Sequence, residues 1–126
     1  MRNTQAYGER PLFWIRTSLK DLLEFPVEVQ GGIGLALSTA QFGGKHKTAK
    51  PWKGDGPGIF EVVEDHKGNT YRAVYTVRFA KAVYVLHSFQ KKSPKGIATS
   101  RPDKNLIALR LQDAIADYEV RYGEDQ

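Results

Sequence analysis

"IFEVVEDHKGNTYRAVYTVRFAKAVYVLHSFQKK", residues 59–92, decides the fold. Three runs rich in valine, tyrosine and phenylalanine are separated by two short connections, "HKGN" and the pair Ala80–Lys81. β-branched and aromatic side chains suit a pleated, half-buried surface, and connections this short join antiparallel neighbours. The reading is a meander of three strands, "IFEVVED", "TYRAVYTVRF" and "AVYVLHSF". The third runs straight into Lys91, Lys92 and Lys95. There the strand either returns to water or presents an edge to something anionic.

Upstream, "KHKTAKPWKGDGPG" (45–58) combines turn formers with cations and is predicted to be a loop. Before it, Val29, Ile33, Ala36, Leu37 and Ala40 recur at helical spacing, predicting a helix ended by Gly43 and Gly44. Its interior Gly31, Gly32 and Gly34 each cost about 1 kcal/mol against alanine. Either they permit close packing on a sheet, or they mark a helix that is easily loosened. "LFWIR" (12–16) reads as a first strand, and "TSLKDLLEFP" as a short helix with Ser18 as cap and Asp21 three residues on. Pro26 ends that helix or opens the next. Near Ser100 and Pro102 a last helix begins, with Ile107, Leu111, Ile115, Tyr118 and Tyr122 on one face. The order β-α-α-β-β-β-α predicts a two-layer α+β domain, with helices on one face of an antiparallel sheet.

The chain has 126 residues and no cysteine. That length fits one domain with one modest core, residues 1–126. Without cysteine there is no disulfide framework, thiolate metal site or cysteine nucleophile. No apolar run approaches the roughly 20 residues of a membrane span, and "MRNTQAYGERP" lacks the apolar core of a signal peptide. A cytoplasmic protein with no membrane contact is expected.

Net charge is +5, and its distribution says more than its sum. No Asp or Glu occurs from Gln30 through Gly54 or from His66 through Pro102, so all 14 carboxylates lie elsewhere. Segregated charge of this kind makes a field that attracts polyanions, although a basic surface also serves solubility alone. Lys45, Lys47, Lys50 and Lys53 fill the first segment; Lys91, Lys92 and Lys95 close the second. As a cluster they are candidates for contact with RNA phosphates.

Arg72 sits among Tyr71, Val74, Tyr75 and Val77. Its guanidinium is permanently charged and offers donors in a planar fork that matches phosphate. In a meander the middle strand touches both neighbours, so Arg72 can share a face with residues near His87 to Lys92. His87 is the only one of three histidines inside an apolar strand. It is either an acid–base group or a half-buried histidine bonded to its neighbours. Three scattered histidines supply no ligands at zinc spacing, so neither metal nor other cofactor is expected. The paired carboxylates of a glycosidase have no natural place in segments that contain none, and no GxxxxGK[ST] or GxSxG sequence is present. What remains suits RNA phosphodiester cleavage without metal: the 2′-hydroxyl attacks, a base takes its proton, and cations hold the phosphorane charge.

The pieces "KPWKGDGPGIFEVVED", "YRAVYTVRF" and "YVLHSFQKKSPKGIAT", with the closing amphipathic helix, resemble the HigB-like, phage-derived branch of the RelE/ParE toxin superfamily. The resemblance runs from about Leu12 to Tyr122. It implies a RelE-like fold and a type II toxin that cuts messenger RNA on the ribosome. The implied partners are ribosome, mRNA and a cognate helix-turn-helix antitoxin. By position, Arg72 matches the strand arginine on the scissile phosphate, and Lys92, with Lys91 beside it, matches a second phosphate-binding cation. Lys53 matches the basic position before the next strand, and His87 lies within a residue or two of catalytic histidines in some members. The catalytic set so implied is Arg72, Lys92 and His87. Two departures stand out: "FEVVED" carries Glu61 and Glu64 where RelE has lysines, and Gly96, Ile97 and Ala98 occupy the place of a catalytic tyrosine. The general base is therefore open among His87, a lysine and Glu61. The ParE side of the superfamily poisons DNA gyrase and cuts no RNA, so gyrase inhibition is the alternative, with non-catalytic nucleic-acid binding a third.

Overall fold

The computed structural model describes residues 9–91 and 99–123. Its strands are β1 (Leu12–Trp14), β2 (Ala49–Pro51), β3 (Ile59–His66), β4 (Asn69–Thr76) and β5 (Val83–Lys91). Its helices are α1 (Ser18–Leu22), α2 (Val27–Gln41) and α3 (Arg101–Tyr122). The strands form one sheet in the order β1-β5-β4-β3-β2. The meander is present: β3 and β4 pair from Ile59↔Thr76 to His66↔Asn69. They turn through Lys67 and Gly68, both at positive φ (50° and 85°), which is how a two-residue hairpin follows the strand twist.

Three expectations are corrected. The 45–58 segment is not all loop, because Ala49–Pro51 adds an edge strand antiparallel to β3. The sheet is mixed, because β1 lies parallel to β5 (Leu12↔Val83 to Trp14↔Val85); the two helices between them make the crossover that parallel strands need. And the helices do not share one face. α2 puts Val29, Ile33, Ala36, Leu37 and Ala40 against Val62, Tyr71, Ala73, Tyr75, Val83 and Val85. α3 puts Ile107, Leu111, Ala114 and Tyr118 against Ile59, Val74, Tyr84 and Leu86. Since successive strand residues point to opposite faces, these two sets are the two sides of the sheet. A sheet with both faces covered explains why β5 is buried along nearly its whole length.

The helix ends follow local chemistry. α2 closes with Gly43 at φ 94°. The Gly44 amide donates to Thr39 O and the Gly43 amide to Ala40 O, the paired bonds of a Schellman cap. Of the interior glycines only Gly32 has a close neighbour: a Cβ there would meet the Glu64 carboxyl at 2.6 Å. At the start of α3 the Ser100 side chain accepts from the Asp103 amide. Among the described residues no helix is long and apolar enough to cross a membrane.

Candidate functional site

One feature of β5 governs what faces α3. Tyr75 pairs with Val85 but Val74 pairs with His87, leaving Leu86 as an extra residue. Such a bulge keeps two successive side chains on the same side and reverses the alternation beyond it. Leu86 and His87 both face α3, Ser88 faces α2, and Phe89 and Lys91 return to the α3 side beside Arg72.

Toward the end where β4 begins and β5 finishes, this face carries a polar band. Arg72 Nη1 donates to Glu61 Oε1 at 2.5 Å, with each side chain only 13% exposed. Arg72 Nε is buried without a partner among the described residues. Arg72 is the cross-strand neighbour of Phe89, and Lys50 of Glu61. Partial removal from water, the Arg72 guanidinium and Lys50 all push the Lys91 ammonium below its ordinary value, against the pull of Glu61. Lys50, Glu61, Arg72 and Lys91 thus form one electrostatic neighbourhood drawn from four strands. A permanent cation, two lysines and one carboxylate can bind a phosphate and accept a proton next to it.

A groove of about 570 Å³ runs between the β2–β3 connection and the first turns of α3. Trp52, Lys53, Asp55, Arg101 and Lys104 line it. Its loop wall is held by Arg78, whose Nη2 donates to Asp55 O (3.3 Å) and Pro57 O (3.4 Å). Gly58 (φ 81°) lets that wall approach, because a Cβ would come within 3.0 Å of Arg78.

His87 lies beneath α3, with 6% of its side chain exposed. Nε2 is 2.7 Å from Asp103 Oδ1, and Nδ1 is 3.2 Å from Arg110 Nη1. A guanidinium only donates, so Nδ1 is the acceptor and Nε2 carries the hydrogen toward Asp103. The ring also stacks on Phe89 at 4.7 Å. Burial and the Arg110 charge hold its pKa below the ordinary value although Asp103 pulls it up. With both nitrogens engaged and the ring covered, the expected acid–base role does not fit this geometry; the structural reading of His87 does.

Of the other expected cations, Lys45 Nζ folds back onto Ala49 O (3.3 Å), Lys47 is exposed in the turn before β2, and Lys53 lies at the groove. Lys92 and Lys95 lie outside the described residues, as do Gly96, Ile97 and Ala98. Phe89, Trp52 and Arg110 escaped the sequence reading. Arg110 had left a signal: three residues after Ile107 and four before Ala114, it falls on the buried stripe of α3. Among the described residues no three His, Cys, Asp or Glu side chains gather as a metal-ligating group.

The sheet order and flanking helices are those of a RelE-type fold. The crystal structure of the isolated E. coli RelE toxin is similar at a TM-score of 0.54 and 20% identity, over 68% of this chain and 88% of that one. The toxin–antitoxin complex RelBE2 from Mycobacterium tuberculosis is similar at a TM-score of 0.42 and 18% identity, over 68% and 94%. Curated proteins contain no match. Residues 20–112 match the family described as Phage derived protein Gp49-like (DUF891). The chain belongs to this phage-derived family, in agreement with the resemblance carried by its strand and lysine motifs.

Proposed function

We propose that the protein is the toxin of a type II toxin–antitoxin pair and an endoribonuclease that cuts ribosome-bound messenger RNA. The observation that carries this reading is the band of Lys50, Glu61, Arg72 and Lys91, a permanent cation with two lysines and one carboxylate on one face of the sheet. RelE-type toxins supply the class of activity; the residues supply the chemistry. Arg72 holds the scissile phosphate. Glu61 accepts from Arg72 through Oε1 and keeps its other oxygen for the proton of the 2′-hydroxyl. Attack of that oxygen on phosphorus breaks the P–O5′ bond and leaves a 2′,3′-cyclic phosphate. Lys91, its proton loosened by partial removal from water and by its cationic neighbours, protonates the departing 5′-oxygen, while Lys50 and Arg72 stabilise the phosphorane. Lys92 is proposed as a further phosphate contact. Lys45, Lys47, Lys53 and Lys95 steer RNA by charge, with the Lys53–Arg101–Lys104 groove as the path of the flanking strand. A helix-turn-helix antitoxin is the proposed partner.

The test is expression of the protein and of Arg72→Ala, with primer-extension mapping of messages and gyrase assays in parallel. Cut messages that disappear in soluble, folded Arg72→Ala support the reading. Full toxicity in that variant sinks the assignment of Arg72, and growth arrest with intact messages and inhibited gyrase supports the alternative.

A further inference from the structure

Arg110 is 8% exposed on a helix face otherwise made of Ile107, Leu111, Ala114 and Tyr118. A guanidinium is expensive to bury and persists there only when its donors are satisfied. Its partners share a pattern. Nη1 donates to Leu86 O and to His87 Nδ1, each at 3.2 Å, and Nη2 donates to Thr17 Oγ1 at 3.1 Å. Thr17 passes its own hydrogen to Asp21 Oδ2 at 2.9 Å. Two of the three acceptors are thus the bulge itself: the carbonyl of the extra residue and the side chain of the next. Seven residues earlier on the same helix, Asp103 takes the other His87 nitrogen and is itself bonded by Ser100 Oγ at 2.7 Å.

We propose that Arg110 is a positioning residue: it holds the β5 bulge in place, and the bulge puts Phe89 and Lys91 on the face of Arg72. Without the extra residue, strand alternation turns Phe89 and Lys91 toward α2 and brings the small Ser88 to the site. The role of this register in catalysis rests on the ribonuclease reading; the register itself does not. His87 completes the device, because only its neutral ring accepts from Arg110. Asp103 and Arg110 face it from α3, Asp21 acts on it from α1, and Phe89 covers its ring. Protonation removes the acceptor and sets two buried cations 3.2 Å apart.

The experiment compares wild type, Arg110→Met and Arg110→Lys, reading the Arg72–Phe89 and Ala73–Ser88 cross-strand contacts by nuclear Overhauser effects and single-turnover cleavage alongside. Arg110→Met keeps volume but offers no donor. It is expected to lose those contacts and to cut about 100-fold more slowly with RNA affinity little changed, as misplacement of a reacting group by an ångström does. Arg110→Lys, which keeps a donor for Leu86 O, is expected to retain both. Should Arg110→Met not fold, an acid titration of wild type reads the same device. The cross-strand contacts should fade as the His87 ring protonates, below the ordinary histidine pKa of 6.5. Contacts that survive in Arg110→Met, or through His87 protonation, overturn the proposal. Lost contacts with undiminished cleavage overturn its catalytic part. A wild type that cuts nothing while its contacts respond as stated refutes the ribonuclease reading and leaves the register device standing.

Discussion

The two faces of the sheet are built from the same strands and treat polar groups in opposite ways. On the α2 face, aliphatic and aromatic side chains meet with little else between them, and the glutamate that reaches the helix, Glu64, is accommodated at Gly32. On the α3 face an apolar patch is interrupted by Asp103, His87 and Arg110, then gives way to the band of Lys50, Glu61, Arg72 and Lys91. The two faces divide the labour. One face stabilises the sheet and needs no particular chemistry. The other gives up apolar contact to hold charged groups on strands of the sheet.

The comparison can be broken at either face. The largest effect is expected from Ile33→Ala, which empties a fully buried position of α2. It should cost about 2–5 kcal/mol of unfolding free energy in a denaturant titration, while cleavage per folded molecule stays unchanged. Arg72→Ala should act on the other face, raising the barrier by about 3 kcal/mol, as loss of one oxyanion donor does, in single-turnover cleavage by folded protein, while also costing stability because Glu61 is left half-buried without its partner. Adding Lys91→Ala to it should cost little more, because groups sharing one transition state are non-additive. Clean additivity would separate their roles. A smaller effect, of opposite sign, is expected from Ser88→Ala. The buried Ser88 Oγ has no partner among the described residues, so removing it should raise stability by up to about 1 kcal/mol. The smallest is Lys47→Ala, which should leave stability within about 0.5 kcal/mol and weaken RNA binding only slightly, more at low salt than at high.

The pH dependence sharpens the contrast because it belongs to one face. The folded His87 has a pKa below its unfolded value, so the unfolded chain binds more protons and stability rises with pH through that interval. The contribution is fully present above about 6.5 and is lost as pH falls toward the folded value. A melting series across that range should lose only part of its slope in Arg110→Met, because burial, the larger cause of the low His87 pKa, remains when the guanidinium is gone.

Local residue types determined much of this protein. Alternating β-branched and aromatic runs specified three strands of the meander, the spacing of Val29, Ile33, Ala36, Leu37 and Ala40 specified α2, and Ser100 and Pro102 marked the start of α3, because periodicity and caps act over a few residues. Arg72 was legible for the same reason, as a charge in an apolar run. Tertiary structure decided the rest. The β2 strand exists because β3 offers an edge to Ala49–Pro51, and β1 is parallel because two helices intervene. The contact of Glu61 with Arg72 is a product of the β3–β4 pairing and is written in neither strand alone. The reversal of alternation at Leu86 has no mark in "YVLHSF": a bulge is a mismatch between two strands, stabilised here by an arginine 24 residues away, and neither strand alone contains it.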